Sequence, residues 1–180
     1  MEKVKTDFIS ESVILNQDDK NKLLNWLNPL YKGKNLYLKL LYRRGNDMSF
    51  ETFHLKCDNK GPTLVVCQSK NEKFGGYTNI NWESNSCGLG IRSSKSFIFS
   101  INKNKKYDYT NKKYNSFYTD KNNGPDFFYD FAFNSQDKKM KVCICTNKCG
   151  YAFSNEPIIG DGSYKEIEVD EVEVFKVKSN

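Results

Sequence analysis

The segment GPTLVVCQSKNEKFGGYT, residues 61–78, decides the fold class. Gly61-Pro62 ends any preceding helix, and the largely apolar run over residues 63–67, rich in residues that favour β-structure, then predicts a strand. Residues 74–78 predict a second strand, in which Gly75 and Gly76 indicate a β-bulge or a close backbone approach. We therefore expect a domain in which strands dominate from this segment onward.

Two short helices are predicted before this segment. Asn16 can cap the first helix, with Asp19 three residues later forming an imperfect capping box. Ser49 can cap the second helix. Three apolar residues at i, i+3 and i+7 give the second helix one buried stripe, made of Phe50, Phe53 and Cys57.

The remaining strand signals are short. They cover residues 36–42, 97–101, 115–119, 126–133, 140–146 and 167–177. In the last segment the apolar positions change from odd to even numbers, so we expect a bulge or kink near Asp170-Glu171. Many short strands with two early helices predict an α+β, β-rich fold, a two-sheet antiparallel β-sandwich flanked by short helices.

The composition excludes several classes of protein. A length of 180 residues fits one domain, and 13 Phe, 11 Tyr and 2 Trp argue against disorder. No apolar run approaches the roughly 18 residues that span a bilayer. The charged start Met1-Glu2-Lys3 does not resemble a secretory signal. We therefore expect a cytoplasmic protein without membrane insertion, with a frayed tail over residues 1–7.

Six cysteines allow three disulfides in an oxidising compartment or free thiols in the cytosol. The cluster Cys143-x-Cys145-x₃-Cys149 suggests a zinc site, to which His54 and Cys57 could add ligands. Its spacing does not match the paired C-x₂₋₄-C units of structural zinc sites. We predict that these cysteines are free core thiols and that the protein holds no metal and no cofactor.

The chain contains one histidine, which excludes mechanisms that need two imidazoles. His54 would have to serve any Cys–His or Ser–His pair. Its position on the second predicted helix favours a structural role, so we predict no catalytic residue. Gly88-Leu89-Gly90 and Gly160-Asp161-Gly162 do not match phosphate-binding loops and predict turns.

The charge of the chain, +6 in total, is unevenly spread and includes two segments of opposite sign. Residues 101–123 combine lysine with tyrosine, a composition typical of single-strand nucleic-acid platforms. They contain no Arg and no RNA-recognition signature, so we predict a solvated lysine-rich hairpin or loop and no nucleic-acid partner. Residues 161–178 are acidic, and their carboxylates would line one end or edge of a sheet. Such carboxylates can act as acid and base, protect an edge strand, or attract a basic partner.

Several segments, taken together and in order, resemble the TLDc domain. They are LLYRR at 40–44, FHLKCDNKGPTL at 53–64, FGGYT at 74–78 with Trp82, FIFSI at 97–101, and VEVF at 172–175. The resemblance covers roughly residues 8–178 and implies a single TLDc-like domain over that range. It also implies a two-sheet β-sandwich with flanking helices and a role in oxidative-stress protection.

The resemblance further implies a protein partner. Several members of the family bind and regulate the vacuolar proton-pumping ATPase, and no accepted catalytic set belongs to the family. We therefore interpret the chain as a non-enzymatic binding or regulatory module for ATPase subunits or another large assembly. The family's acidic position in its last strand matches Glu173. The predicted partner-binding residues are Glu168, Asp170, Glu171 and Glu173.

Two alternatives stay open. The chain could be a structural component of a larger assembly, for example a cytoskeletal one. It could also be an enzyme or a thiol redox protein of unknown reaction, which would need a perturbed acid or a thiolate in a cleft.

Overall fold

The computed structural model describes the greater part of the chain. The described residues are 11–45, 49–84, 89–110, 112–113, 115–128, 130–134, 141–144, 153, 156, 158–159 and 165–180. Within them, neither helix has the length and apolar character that crossing a membrane requires.

The predicted two-sheet β-sandwich with short flanking helices is confirmed. Each sheet has six strands, and every pairing between named strands is antiparallel. Sheet 1 has the order β1-β12-β2-β3-β5-β6, and sheet 2 has the order β11-β10-β9-β8-β7-β4. The helices are α1 (Gln17–Leu27) and α2 (Phe50–Cys57), with a 3₁₀ turn at Asn28–Tyr31. The strands are β1 (Leu36–Arg43), β2 (Thr63–Ser69), β3 (Glu72–Thr78), β4 (Leu89–Ile91), β5 (Phe97–Ser100), β6 (Lys105–Asp108), β7 (Phe117–Thr119), β8 (Asp126–Phe127), β9 (Phe131–Asn134), β10 (Lys141–Ile144), β11 (Lys165–Glu168) and β12 (Glu171–Ser179).

Sheet 1 is covered on both faces, which gives the domain two apolar cores. The inner core lies between the sheets, where the rings of Phe74 and Phe131 meet edge to face at 5.9 Å. The outer core lies between sheet 1 and α1, where Trp26 contacts Phe99 at 5.8 Å. Residues 11–15, which we call the strap, cover the same outer face and contribute Ile14 and Leu15 to the outer core.

Helix α1 begins where the sequence predicts. Asn16 accepts a hydrogen bond from Asp19 N at 2.9 Å, and Asp19 accepts one from Asn16 N at 3.2 Å, so the capping box is complete. Asp19 also pairs with Lys73 of β3 at 2.7 Å, which fixes the start of the helix to sheet 1. At its other end, the Tyr31 and Tyr77 hydroxyls lie 2.9 Å apart. Both ends of the helical segment are therefore tied to one strand.

The glycines of β3 are explained by close approach and not by a bulge. The register of β2 with β3 runs without a shift from Thr63 to Ser69. A Cβ at Gly75 would lie 2.0 Å from the carbonyl oxygen of Val65, and one at Gly76 would lie 2.5 Å from the ring of Phe127. Glycine is needed at both positions because no side chain fits there.

The prediction of one strand over residues 126–133 was wrong. The chain forms a hairpin, with β8 and β9 joined through Phe128, whose φ is +54°. A left-handed conformation is uncommon for a bulky residue, and the segment lacks the glycine or asparagine that would signal a turn. The reversal places Phe127 and Phe131 in stacked contact at 4.7 Å.

Two further predictions need correction. The last strand signal divides into β11 and β12, which belong to different sheets, so the expected kink near Asp170-Glu171 is a crossing between sheets. The turn predicted at Gly88-Leu89-Gly90 was wrong for its second and third residues, which lie in β4 opposite β7. The turn predicted at Gly160-Asp161-Gly162 falls outside the described residues.

Candidate functional site

The acidic residues that the sequence singles out lie where the chain crosses from sheet 2 to sheet 1. We call Glu168, Asp170 and Glu171 the acidic corner. Ser69 Oγ donates to Glu168 O at 2.7 Å, and Asp170 N donates to the carbonyl oxygen of Gln68 at 2.8 Å. The Asp170 carboxylate accepts a hydrogen bond from Lys70 N. The corner is therefore fastened to the β2–β3 hairpin and does not depend on one strand alone.

The three carboxylates of the acidic corner differ in exposure. Glu168 and Asp170 are exposed, and Glu171 is half-buried. In the described part of the chain, Oε2 of Glu171 is buried and has no hydrogen-bond partner. The corner thus presents the carboxylates of Glu168 and Asp170 on a fixed surface, whereas Oε2 of Glu171 lies beneath that surface.

Glu173, predicted with the other three acids, lies inside the protein. Its side chain is 0% exposed and sits in a strand flanked by β1 and β2, so it is not an edge residue. Its Oε1 accepts from Arg43 Nε at 3.0 Å and from Val13 N at 2.9 Å, and its Oε2 accepts from Ser12 Oγ at 2.5 Å. Glu173 therefore holds the strap against β1, and no partner can reach it while the strap is in place.

His54 is held by hydrogen bonds at both ring nitrogens. Nδ1 lies 2.7 Å from the Asp58 carboxylate, and Nε2 lies 3.0 Å from Asp120 O and 2.9 Å from Asn123 O. Asp58 also accepts from Ser84 N at 2.7 Å. A catalytic histidine needs one nitrogen aimed at a reacting group, and here both nitrogens join α2 to neighbouring loops. The geometry therefore assigns His54 a structural role.

The structure describes the side chains of two of the six cysteines. Cys57 and Cys67 are free and fully buried in the inner core. Burial raises the pKa of both thiols well above the usual range, and the nearby Asp58 carboxylate raises the pKa of Cys57 further. A thiol that stays protonated is a poor nucleophile and a poor metal ligand. These two residues do not support a redox role. The side chains of the other four cysteines, including those of the Cys143-x-Cys145-x₃-Cys149 cluster, lie outside the described residues.

Two lysines and one tyrosine of the lysine-rich segment, all in β6, form polar contacts within the domain. Lys105 pairs with Glu156 at 2.6 Å, and Lys106 pairs with Asp108 at 2.7 Å. Tyr107 OH donates to Glu156 at 2.8 Å. Hydrogen bonds from Lys105 and then Tyr107 lower the pKa of the Glu156 carboxyl. Strand β6 therefore forms an edge with locally balanced charge, and its tyrosine is not free to stack on a base.

The order of the elements agrees with the motifs quoted from the sequence. It comprises two capped helices, the glycine-containing hairpin, and a final strand inserted beside β1. A family model of the TLDc domain matches residues 8–178. The chain belongs to the TLDc domain family. A comparison with curated proteins finds no match for this TLDc domain.

Sequence reasoning missed the burial of two acids of this TLDc domain, Asp126 and Glu173. Asp126 is 8% exposed, and in the described residues its Oδ1 lacks a hydrogen-bond partner. Its position at the start of the predicted strand, directly after Gly124-Pro125, gives no sign of its burial. The groups that satisfy the buried Glu173 carboxylate, among them Arg43 and Ser12, lie more than a hundred positions away in the sequence, so no local pattern indicated its burial.

Proposed function

We propose that this TLDc domain is a non-enzymatic binding module that docks through its acidic corner on a large protein assembly, the vacuolar proton-pumping ATPase. The observation that carries the proposal is the contrast between two sets of side chains. Glu168 and Asp170 are exposed on a fixed corner, whereas the groups best suited to chemistry, His54 and Cys57, are engaged or buried in the fold.

The proposed partner surface is basic. Carboxylates at a rigid corner attract Lys and Arg side chains and steer association more than they raise affinity. Binding should therefore weaken as the ionic strength rises, because exposed charges are screened over about 10 Å at 0.1 M salt. The family membership supports a protein partner, and it also underlies the proposed role in oxidative-stress protection. The cytoplasmic location expected from the sequence is part of the same proposal.

The direct test mixes the full chain with purified proton-pumping ATPase and measures co-sedimentation at low and high salt. We expect a complex at low salt that Glu168→Lys weakens by roughly tenfold. Asp18→Lys is the matched control, because Asp18 is an exposed acid on α1, on another element of the domain. Equal binding by both variants would show that the acidic corner is not the docking surface. Absence of a complex at low salt would show that the ATPase is not the partner.

A cell-based experiment tests the protective role. Cells that lack the chain should survive peroxide poorly, and the chain carrying Asp18→Lys should restore survival while Glu168→Lys should not. If both variants restore survival in peroxide, the protective role does not depend on binding at the acidic corner. Recovery of the chain in a fixed ratio within a purified cytoskeletal array would instead favour the structural alternative.

A further inference from the structure

The hydroxyl of Ser12 is the centre of the strap. It donates to Glu173 Oε2, and its oxygen accepts from Leu15 N at 3.0 Å and Ile14 N at 3.2 Å. A single oxygen atom therefore sets the local shape of the strap and attaches it to sheet 1. No other residue of the strap combines these two roles.

The strap is attached by side chains and not by strand pairing. In the described part of the chain, no backbone-to-backbone hydrogen bond joins residues 11–15 to a strand. The bonds that hold it end on Glu173 and on Arg43, whose Nη2 donates to Glu11 O. Ile14 and Leu15 are buried, but Val13 is 65% exposed and Ser12 is half-buried. A segment held in this way can open locally without disturbing the sheet.

We propose that Ser12 is a phosphorylation site whose modification releases the strap from sheet 1. In the step itself, Ser12 Oγ attacks the γ-phosphorus of ATP in the site of a protein kinase. The hydroxyl proton passes to the kinase's base, the bond from the γ-phosphorus to the bridging oxygen breaks, and ADP leaves. This proposal is independent of the acidic corner and of the partner proposed above.

The electrostatics of the Glu173 site make the modified strap unstable in place. A phosphoserine carries about −1.5 to −2 charges at neutral pH and no hydroxyl proton, so the donor to Glu173 is lost. Among the described contacts of the Glu173 carboxylate, Arg43 brings the one positive charge. Arg43 cannot neutralise both a buried carboxylate and a phosphate. A buried charge without its partner is strongly unfavourable, so the strap leaves the site.

Release of the strap changes the surface of sheet 1. Ile14 and Leu15 leave the outer core, and the apolar residues beneath them become accessible beside Arg43 and Glu173. Phosphorylation thus uncovers the part of the outer sheet face that lies beneath the strap, whereas α1 continues to cover the rest.

The test uses the full chain with Ser12 replaced by phosphoserine and follows amide hydrogen exchange. The amides of Val13, Ile14 and Leu15 should exchange roughly tenfold faster than in the unmodified chain. The amides of β2 should be unchanged, which shows that the domain remains folded. Phosphoserine in place of Ser94, an exposed turn residue, is the matched control and should leave the strap unaffected. Unchanged exchange in the strap after modification at position 12 would overturn the proposal.

A second variant distinguishes charge repulsion from simple disruption. Glu173→Gln alone should also speed exchange of the strap, because Arg43 loses its partner. Combined with phosphoserine at position 12, the same substitution should slow exchange again, since the Arg43 guanidinium can then pair with the phosphate. If Glu173→Gln and phosphoserine at position 12 each speed exchange of the strap and their effects add when combined, the electrostatic mechanism is wrong.

Occurrence of the modification is tested separately. The full chain is incubated with ATP in a lysate of the cells in which the protein naturally occurs. The peptide that contains Ser12 is then mapped by mass spectrometry. We expect one phosphate at Ser12 and none in the Ser12→Ala variant at that peptide. A peptide that stays unmodified while other substrates in the lysate are phosphorylated would overturn the assignment.

Discussion

The ring of Phe127 in sheet 2 lies directly against the backbone of Gly76 in sheet 1, so that a Cβ at position 76 would come within 2.5 Å of the ring. The contact joins the two sheets at the centre of the inner core. Neither residue can change size without moving a sheet, because both are fully buried.

We predict that Gly76→Ala destabilises the domain by about 1–3 kcal/mol, the range typical of overpacked cores. Gly45→Ala is the matched control, because a Cβ at Gly45 meets nothing within 4 Å. Chemical denaturation of both variants checks the prediction. A loss at position 45 equal to that at position 76 would contradict it, and Phe127→Leu should recover part of the loss in Gly76→Ala.

His54 is predicted to matter for stability and not for activity. His54→Ala removes its bonds to Asp58, Asp120 O and Asn123 O and leaves these acceptors buried or unmatched, which should lower the free energy of unfolding by about 2–3 kcal/mol. Leu55→Ala is the control on the same helix, since Leu55 is 81% exposed and should change stability by less than about 0.5 kcal/mol. Thermal unfolding of both variants provides the measurement. Equal melting temperatures would show that the His54 bonds contribute nothing.

Asp126 should make stability depend on pH. Burial raises the pKa of its carboxyl well above the usual value, against a smaller lowering by the N–H of Phe128. Because the folded-state pKa lies above the unfolded one, the contribution of Asp126 to stability is complete below its unfolded pKa and is lost as the pH rises through its folded pKa. Asp126→Asn cannot ionise, so its melting temperature should exceed that of the wild type at neutral pH.

At neutral pH, Asp126→Asn should stabilise the domain by about 1 kcal/mol, which corresponds to a rise in melting temperature of about 2–4 °C for a domain of this length. This gain should disappear near about pH 4, where the carboxyl of Asp126 is protonated in the unfolded chain as well. Asp18→Asn, at an exposed position of α1, should change the melting temperature little at either pH. A difference between Asp126→Asn and wild type that is constant from acid to neutral pH would contradict the ionisation argument.

The buried thiols are predicted to be unreactive. Cys57 and Cys67 have raised pKa values because of burial, and alkylation requires the thiolate. Peptide mapping after brief alkylation at neutral pH should find both residues unmodified in the native chain and modified after denaturation. Rapid alkylation of either residue in the native chain would revive the thiol redox alternative.

Local sequence signals were sufficient to predict the helices that begin with a capping residue and the strands whose apolar residues follow a clear pattern. Asn16 and Ser49 start the two helices, and the strand runs at β1, β2 and β3 follow directly from their residues. The β8–β9 hairpin was missed because Phe128, a bulky residue, takes the left-handed conformation that sequence rules reserve for glycine and asparagine. Tertiary packing of Phe127 on Phe131 decides this turn, and no local pattern encodes it.

The misplacement of Glu173 has a different cause. In β12, Val172 and Val174 face the inner core, so alternation assigns Glu173 to the other face, which would be solvent in a sheet covered on one side. Here the strap and α1 cover that face as well. Whether a sheet is covered once or twice depends on elements far along the chain, and residue spacing within one strand carries no information about it.

The position of β12 between β1 and β2 has a consequence for synthesis. Residues 36–43 and 63–69 leave the ribosome long before residues 171–179, so two strands wait with unpaired edges for the strand that joins them. Unpaired edges of this kind readily capture other chains. The nascent polypeptide is therefore expected to need a chaperone until residues 171–179 have left the ribosome, and a premature stop that removes β12 should yield aggregates instead of a shortened domain.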